Sequence, residues 1–197
     1  MEKYLTKSNS YLVIFIVLTG VITAFSNTLM PLFAANTHVS ILMLYQPLTA
    51  LFLHYSYVHW CTNMFYLTVA LYINHKIKEP ITGIIPIILI IGSISNLFGI
   101  LAGITYNFPS TYIIGASGGI FGLIGYVTWK TIIDLYQNHK IWKMLIYLSV
   151  LGLCVYSVFD MNINAISNTI HASGFTIGLI YSIATTNFTT TTKKKTV

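Results

Sequence analysis

The chain has 197 residues, of which 55% are hydrophobic and only 7% charged, with a formal net charge of +6. A water-soluble domain carries about a quarter charged residues, so this composition excludes a surface built for water. Nucleic-acid binding is excluded too, because the lysines sit at the ends of apolar segments and form no stripe interleaved with aromatics.

In chain order, residues 1–10 are polar and carry Lys3 and Lys7. The first apolar run covers about 11–35 and closes at Met30-Pro31 and Asn36-Thr37-His38. Ala24-Phe25-Ser26 resembles a signal cleavage site, but a signal core is only ~7–15 residues long, so a retained helix is expected. The second run, 47–74, ends at His75-Lys76-Ile77-Lys78-Glu79-Pro80, and the third, 81–104, has Pro86 in its early turns. An uncharged loop, 105–112, leads to a glycine-rich fourth run, 113–129, followed by Lys130 and Asp134. The fifth run is 142–159, residues 160–164 form a polar loop, and the sixth run is 165–186 before the tail lysines Lys193, Lys194 and Lys195. Each run is long enough to cross a bilayer as a helix. The expected fold is an all-α membrane protein, one domain over 1–197 with six transmembrane helices.

Orientation follows from the lysines. With the N-terminus cytoplasmic, the inside segments hold Lys3, Lys7, Lys76, Lys78, Lys130, Lys140, Lys143 and the three tail lysines, which are all ten basic residues of a chain without arginine. The outer loops hold none, so the positive-inside rule predicts both termini on the cytoplasmic side. The bias toward Lys, Ile, Asn and Tyr fits an AT-rich genome and points to the plasma membrane of a bacterium. Cys61 and Cys154 lie within apolar runs without a C-x-x-C spacing and read as packing residues.

A charge at the centre of a span costs on the order of 2.5–3.5 kcal/mol by insertion scales, so polar and ionisable groups that persist there usually face the bundle interior and carry function. Three such places occur. His54 precedes His59 and Asn63, which are four apart and share one helical face. Gly115-Ala116-Ser117-Gly118-Gly119 opens the fourth run, and His171 lies in the outer half of the sixth. Counted along the helices at ~1.5 Å per residue, His171 lies ~9 Å and His59 ~18 Å from the outer ends, so all three groups occupy the outer half of the membrane.

Serine, histidine and asparagine at one depth suggest acyl transfer. A histidine can take the serine proton near neutral pH, and an amide with a second imidazole can donate to the oxyanion of a tetrahedral intermediate. No acidic residue sits in any span, which leaves a Ser-His dyad. Gly115-x-Ser117-x-Gly119 matches the nucleophile elbow of the α/β-hydrolases, but that motif needs a preceding strand where this chain offers helix-length apolar runs. Glycines spaced by four, Gly99 and Gly103, Gly115 and Gly119, Gly118 and Gly122, Gly174 and Gly178, allow close helix contact. Taken singly, Ser117 reads as a small contact residue and His171 as a satisfied interior histidine. His38, His75 and His139 read as solvated. His54 and His59 lack a third ligand at a suitable spacing, so neither a metal nor another cofactor is expected.

At these residues the chain closely resembles the rhomboid family of intramembrane serine proteases, over about residues 11–186. Leu48-Thr-Ala-Leu-Phe-Leu-His54 followed by His59-x-x-x-Asn63-Met64 resembles the family's second-helix signature, Gly115-Ala-Ser117-Gly118 its G-x-S-G motif, and His171-x-x-Gly174-x-x-x-Gly178 its sixth-helix pattern. The resemblance implies a catalytic Ser117–His171 dyad and an oxyanion hole of His59, Asn63 and the Ser117 N–H. His54, Gly115, Gly118 and Phe121 would be auxiliary, His54 lining a water path. Implied partners are the lipid bilayer and single-span membrane proteins, cut near the outer end of the span. They would arrive laterally past the fifth helix, with residues 160–164 as part of a lid. Some members carry a tyrosine under the catalytic histidine where this chain has Phe121, and the loop 36–46 lacks the Trp-Arg pair of many relatives. The rival readings are a catalytically silent relative that binds membrane helices and a small transporter. The silent relatives usually lose the serine or a histidine, whereas this chain keeps them all. Against the transporter, no inverted repeat is visible.

Overall fold

A computed structural model describes residues 2–37, 44–80, 83–159 and 165–194. These form eight α-helices, one 3-10 turn and a two-stranded bridge: α1 Glu2–Thr23, α2 Ser26–Phe33, β1 Ala35–Asn36, α3 Gln46–Thr49, the 3-10 turn Ala50–Phe52, α4 Tyr57–Lys76, α5 Ile84–Thr105, β2 Tyr112–Ile113, α6 Ser117–Gln137, α7 Ile141–Phe159 and α8 Ala165–Lys194. His38, Lys195 and the loop 160–164, expected to contribute a lid, lie outside the described residues.

α6 is the hub, packed against α4, α5, α7 and α8. Its first ten residues carry four glycines beside Ile120, Phe121, Leu123 and Ile124, all essentially without solvent contact. Helices around it turn apolar side chains outward instead: Val13, Ile14, Val17 and Val21 of α1 and Ile146 and Leu153 of α7 are each more than half exposed. Continuous apolar surface of this kind fits lipid rather than water. By length and apolarity alone, α5 qualifies as a span, and Ser10–Thr23 with Ser26–Phe33 qualifies as a pair bent by 102°.

Three apolar runs are not the continuous helices expected from sequence. The first run breaks between α1 and α2, where Ser26 Oγ accepts the His54 N–H at 3.1 Å. The open carbonyls of the last α2 turn are met by side chains of α3 and the residue before it: Tyr45 Oη and Gln46 Nε2 donate to Leu32 O, and Thr49 Oγ1 to Phe33 O. The second run yields α4 only from Tyr57. Ser56, in extended conformation at φ −162°, caps α4 by accepting the His59 N–H at 3.2 Å. The apolar residues before it, Ala50, Leu51 and Leu53, are apolar because they are buried, not because they continue a helix. The fourth run yields α6 only from Ser117, since Ile113 is committed to pairing with Ala35 and Tyr112 with Asn36.

Candidate active site

The approach to Ser117 is set by glycine. Gly115 has φ +117°, a conformation that L side chains rarely adopt, and its N–H donates to Ala50 O at 2.9 Å. A β-carbon there would also lie 2.9 Å from His59 Cε1, so space and backbone both demand glycine. The chain therefore passes from strand through a sharp turn into a helix whose first residue is Ser117. This corrects the objection to a nucleophile elbow: a strand does precede the serine, although it is only two residues long and the left-handed residue is Gly115. Ile120 is the first residue of α6 whose N–H reaches back, to Ala116 O at 3.0 Å. The N–H groups of Ser117, Gly118 and Gly119 thus have no partner within the helix, and the positive end of its dipole lies beside the hydroxyl.

His171 arrives from α8 because α6 and α8 touch backbone to backbone. A β-carbon on Gly174 would strike the Gly118 carbonyl, one on Gly178 the Gly122 carbonyl, and one on Gly125 the Phe175 carbonyl. Gly118 itself is boxed in by Ile170 and Ser95, each 2.9 Å from where its β-carbon would sit. At that separation His171 Nε2 lies 2.9 Å from Ser117 Oγ, a hydrogen-bond distance. Phe121, one turn below the serine and 1% exposed, stacks on the imidazole with centroids 4.7 Å apart and 29° between planes. Tyr66 packs edge-on behind Phe121 at 5.8 Å.

The third group comes from α4. The Ser56 cap starts the helix so that His59 and Asn63 face Gly115: the β-carbon position of Gly115 is 3.1 Å from His59 Nε2 and 3.5 Å from Asn63 Nδ2. Asn63 Nδ2 is buried and has no hydrogen-bond partner among the described residues. A buried amide donor without a partner is costly, so its presence beside Gly115, two residues before Ser117, is notable. His54 does not lie on the same helix as His59, contrary to the sequence reading. It sits in the extended stretch before α4, fully buried, with its ring edge-on to His59 at 5.1 Å.

A cavity of about 270 Å3 opens onto this cluster, lined among others by Ser117, His171, His59, Tyr55 and Asn96. Tyr55 was not anticipated. Its ring stacks on His59 at 6.0 Å and 23°, and its hydroxyl donates to the Tyr112 carbonyl across the cavity. Nothing in the sequence marks Tyr55, whereas Ser56, three residues before His59, carries a legible N-cap signal. Asn96 is buried on α5, and its amide donates to Pro47 O at 2.9 Å. Among the described residues, no group of three His, Cys, Asp or Glu is placed to hold a metal ion.

Compared with known families, residues 42–188 match the family model described as Rhomboid domain. No curated protein and no solved structure gives a match.

Proposed function

The chain belongs to the rhomboid family of integral membrane proteins, and from that premise we propose that it is an intramembrane serine endopeptidase. It spans the bilayer six times with both termini cytoplasmic and cleaves single-span membrane proteins near the outer end of their span. The observation that carries this reading is the 2.9 Å separation of Ser117 Oγ and His171 Nε2 at the floor of a cavity.

In the reaction, His171 Nε2 takes the Ser117 proton as Oγ attacks the scissile carbonyl carbon. The negative charge that develops on the carbonyl oxygen would be met by the Ser117 N–H, Asn63 Nδ2 and His59 Nε2, a role that the nearness of both α4 side chains to Gly115 supports. Collapse of the intermediate breaks the C–N bond, and His171 returns the proton to the departing amine. Water then attacks the acyl-enzyme with His171 again as base, and Oγ regains its proton. Phe121 and Tyr66 hold the plane of the imidazole during both proton transfers, a part that a carboxylate plays in a triad. His54 backs His59 within the water path.

A fluorophosphonate probe tests the reading. It is expected to label the folded, detergent-solubilised protein at Ser117, and Ser117→Ala and His171→Ala are each expected to abolish cleavage of a model single-span substrate. Folded protein that neither reacts with the probe nor cleaves would instead belong with the silent relatives that bind membrane helices.

A further inference from the structure

At the end of α6 away from Ser117, roughly 30 Å down a 21-residue helix, a second cavity has no part in hydrolysis. Its volume is about 340 Å3, and it lies where α4 and α6 end and α7 begins. Four lysines line it: Lys76 closes α4, Lys78 follows in the turn, and Lys140 and Lys143 flank the start of α7. We propose that this cavity binds the headgroup of an anionic phospholipid bearing free hydroxyls, the lysines holding the phosphate and Asp134 the hydroxyls.

The lysines are fixed by backbone turns rather than scattered on a loose surface. Lys78 and His139 both adopt left-handed backbone, φ 59° and 53°, in turns normally given to glycine. Each turn is closed twice, by Lys78 N–H to His75 O and Glu79 N–H to Asn74 O, and by His139 N–H to Tyr136 O and Lys140 N–H to Leu135 O. Asn74 Nδ2 adds a further bond to Glu79 O at 3.1 Å. Both basic loops therefore present their charges to one cavity before any ligand arrives.

The nearby counter-charge is engaged elsewhere. Glu79 faces Lys130 at 3.7 Å and accepts from Tyr126 Oη at 3.3 Å. No carboxylate lies within 4.0 Å of the four cavity lysines among the described residues. Asp134 is the single acidic group in the lining, held by the Asn138 amide, which donates to its backbone O at 2.7 Å and to Oδ1 at 3.2 Å. Four cations against one carboxylate favour a phosphate, and a carboxylate in the lining favours a ligand with hydroxyl donors. A choline headgroup supplies neither a net negative charge nor a hydroxyl.

The surroundings indicate a lipid rather than a free anion. Trp142 is 82% exposed, Tyr136 65% and Tyr72 56%, and Lys76 Nζ lies 5.1 Å over the Tyr72 ring. Exposed Trp and Tyr beside lysines at helix ends are the residues of a membrane interface, where headgroups lie.

The test uses the full chain in detergent, titrated with phosphatidylglycerol, phosphatidylcholine or inorganic phosphate, with bound lipid counted by native mass spectrometry. Phosphatidylglycerol is expected to bind at least tenfold more tightly than phosphatidylcholine. Each lysine removed as Lys140→Gln or Lys143→Gln should weaken it about fivefold, while replacing all three tail lysines by glutamine should not. Equal affinity for the two lipids would overturn the proposal, as would an equal loss in the tail variant, which would reduce the lysines to generic surface charge. Displacement by equimolar inorganic phosphate would reassign the cavity to a free anion. Should the cavity variants fail to fold, the wild-type preference and the tail variant decide the matter alone. Binding is read equally on Ser117→Ala protein, so the result stands apart from proteolysis.

Discussion

α8 and α7 both flank α6, yet they meet it on different terms. Along the α8 seam, glycines remove every side chain that would hold the backbones apart, so carbonyl oxygens of one helix lie against α-carbons of the other. On the α7 side, packing leaves open space. A cavity of about 600 Å3 lies there between Ile132, Leu148, Leu151 and Phe175, and a β-carbon built on Gly152 of α7 meets no atom within 4 Å. In lipid no hydrophobic effect presses helices together, so close van der Waals fit decides which contacts are rigid. Ser117 and His171 are carried by the rigid pair. α7 contributes neither partner of their hydrogen bond, and the open space beside it suits the proposed lateral arrival of a substrate helix on that side.

Substitutions on the two sides of α6 can break or sharpen this contrast. The largest effect is expected at the seam: Gly178→Val would drive a branched side chain into the Gly122 carbonyl and lose both fold and activity, costing more than about 3 kcal/mol. Thermal unfolding of the purified variant measures it, and near-wild-type stability would show that the seam yields.

Next comes the α4 face of the site. Asn63→Ala removes a buried amide donor and should lower kcat by about 100- to 1,000-fold with little change in KM. Cleavage kinetics on a single-span substrate report it, and an equal loss by way of KM alone would assign Asn63 to substrate binding.

Phe121→Leu keeps an apolar filler but removes the ring stacked on His171. A roughly tenfold fall in kcat is expected, since ring–ring contacts contribute about 0.5–1.5 kcal/mol. Unchanged turnover in a folded variant would mean that the seam alone orients the imidazole.

The smallest effect belongs to the α7 side. Gly152→Ala enters open space and should leave activity within about twofold while stabilising the helix by about 0.5–1 kcal/mol. A large loss of activity there would erase the distinction between the two flanks.

The membrane character and the helical class were legible in composition, because surface facing lipid must be apolar wherever it falls in the chain. The residues of the candidate site were legible for a related reason. Polar groups such as His59, Asn63 and His171 are conspicuous in apolar runs, and Gly115-x-Ser117 combines a hydroxyl with the small residues that tight packing needs. Helix boundaries were not. Ala50, Leu51 and Leu53 are apolar through burial in a 3-10 turn and the extended residue after it, and hydrophobicity does not distinguish these from a helix. The bend after Thr23 and the strand before Gly115 likewise depend on partners distant in sequence, Ser26 on His54 and Ile113 on Ala35.

The amino-acid order by itself thus determined which side chains are available for chemistry and that they lie in lipid, since both are properties of single residues and their spacing. Only the tertiary structure decided that Ser117 Oγ lies 2.9 Å from His171 Nε2, that Phe121 stacks beneath the imidazole, and that Tyr55 braces His59. Those contacts join residues up to 54 positions apart. Their distances are set by how closely two glycine-lined backbones can approach, a quantity that no local pattern encodes.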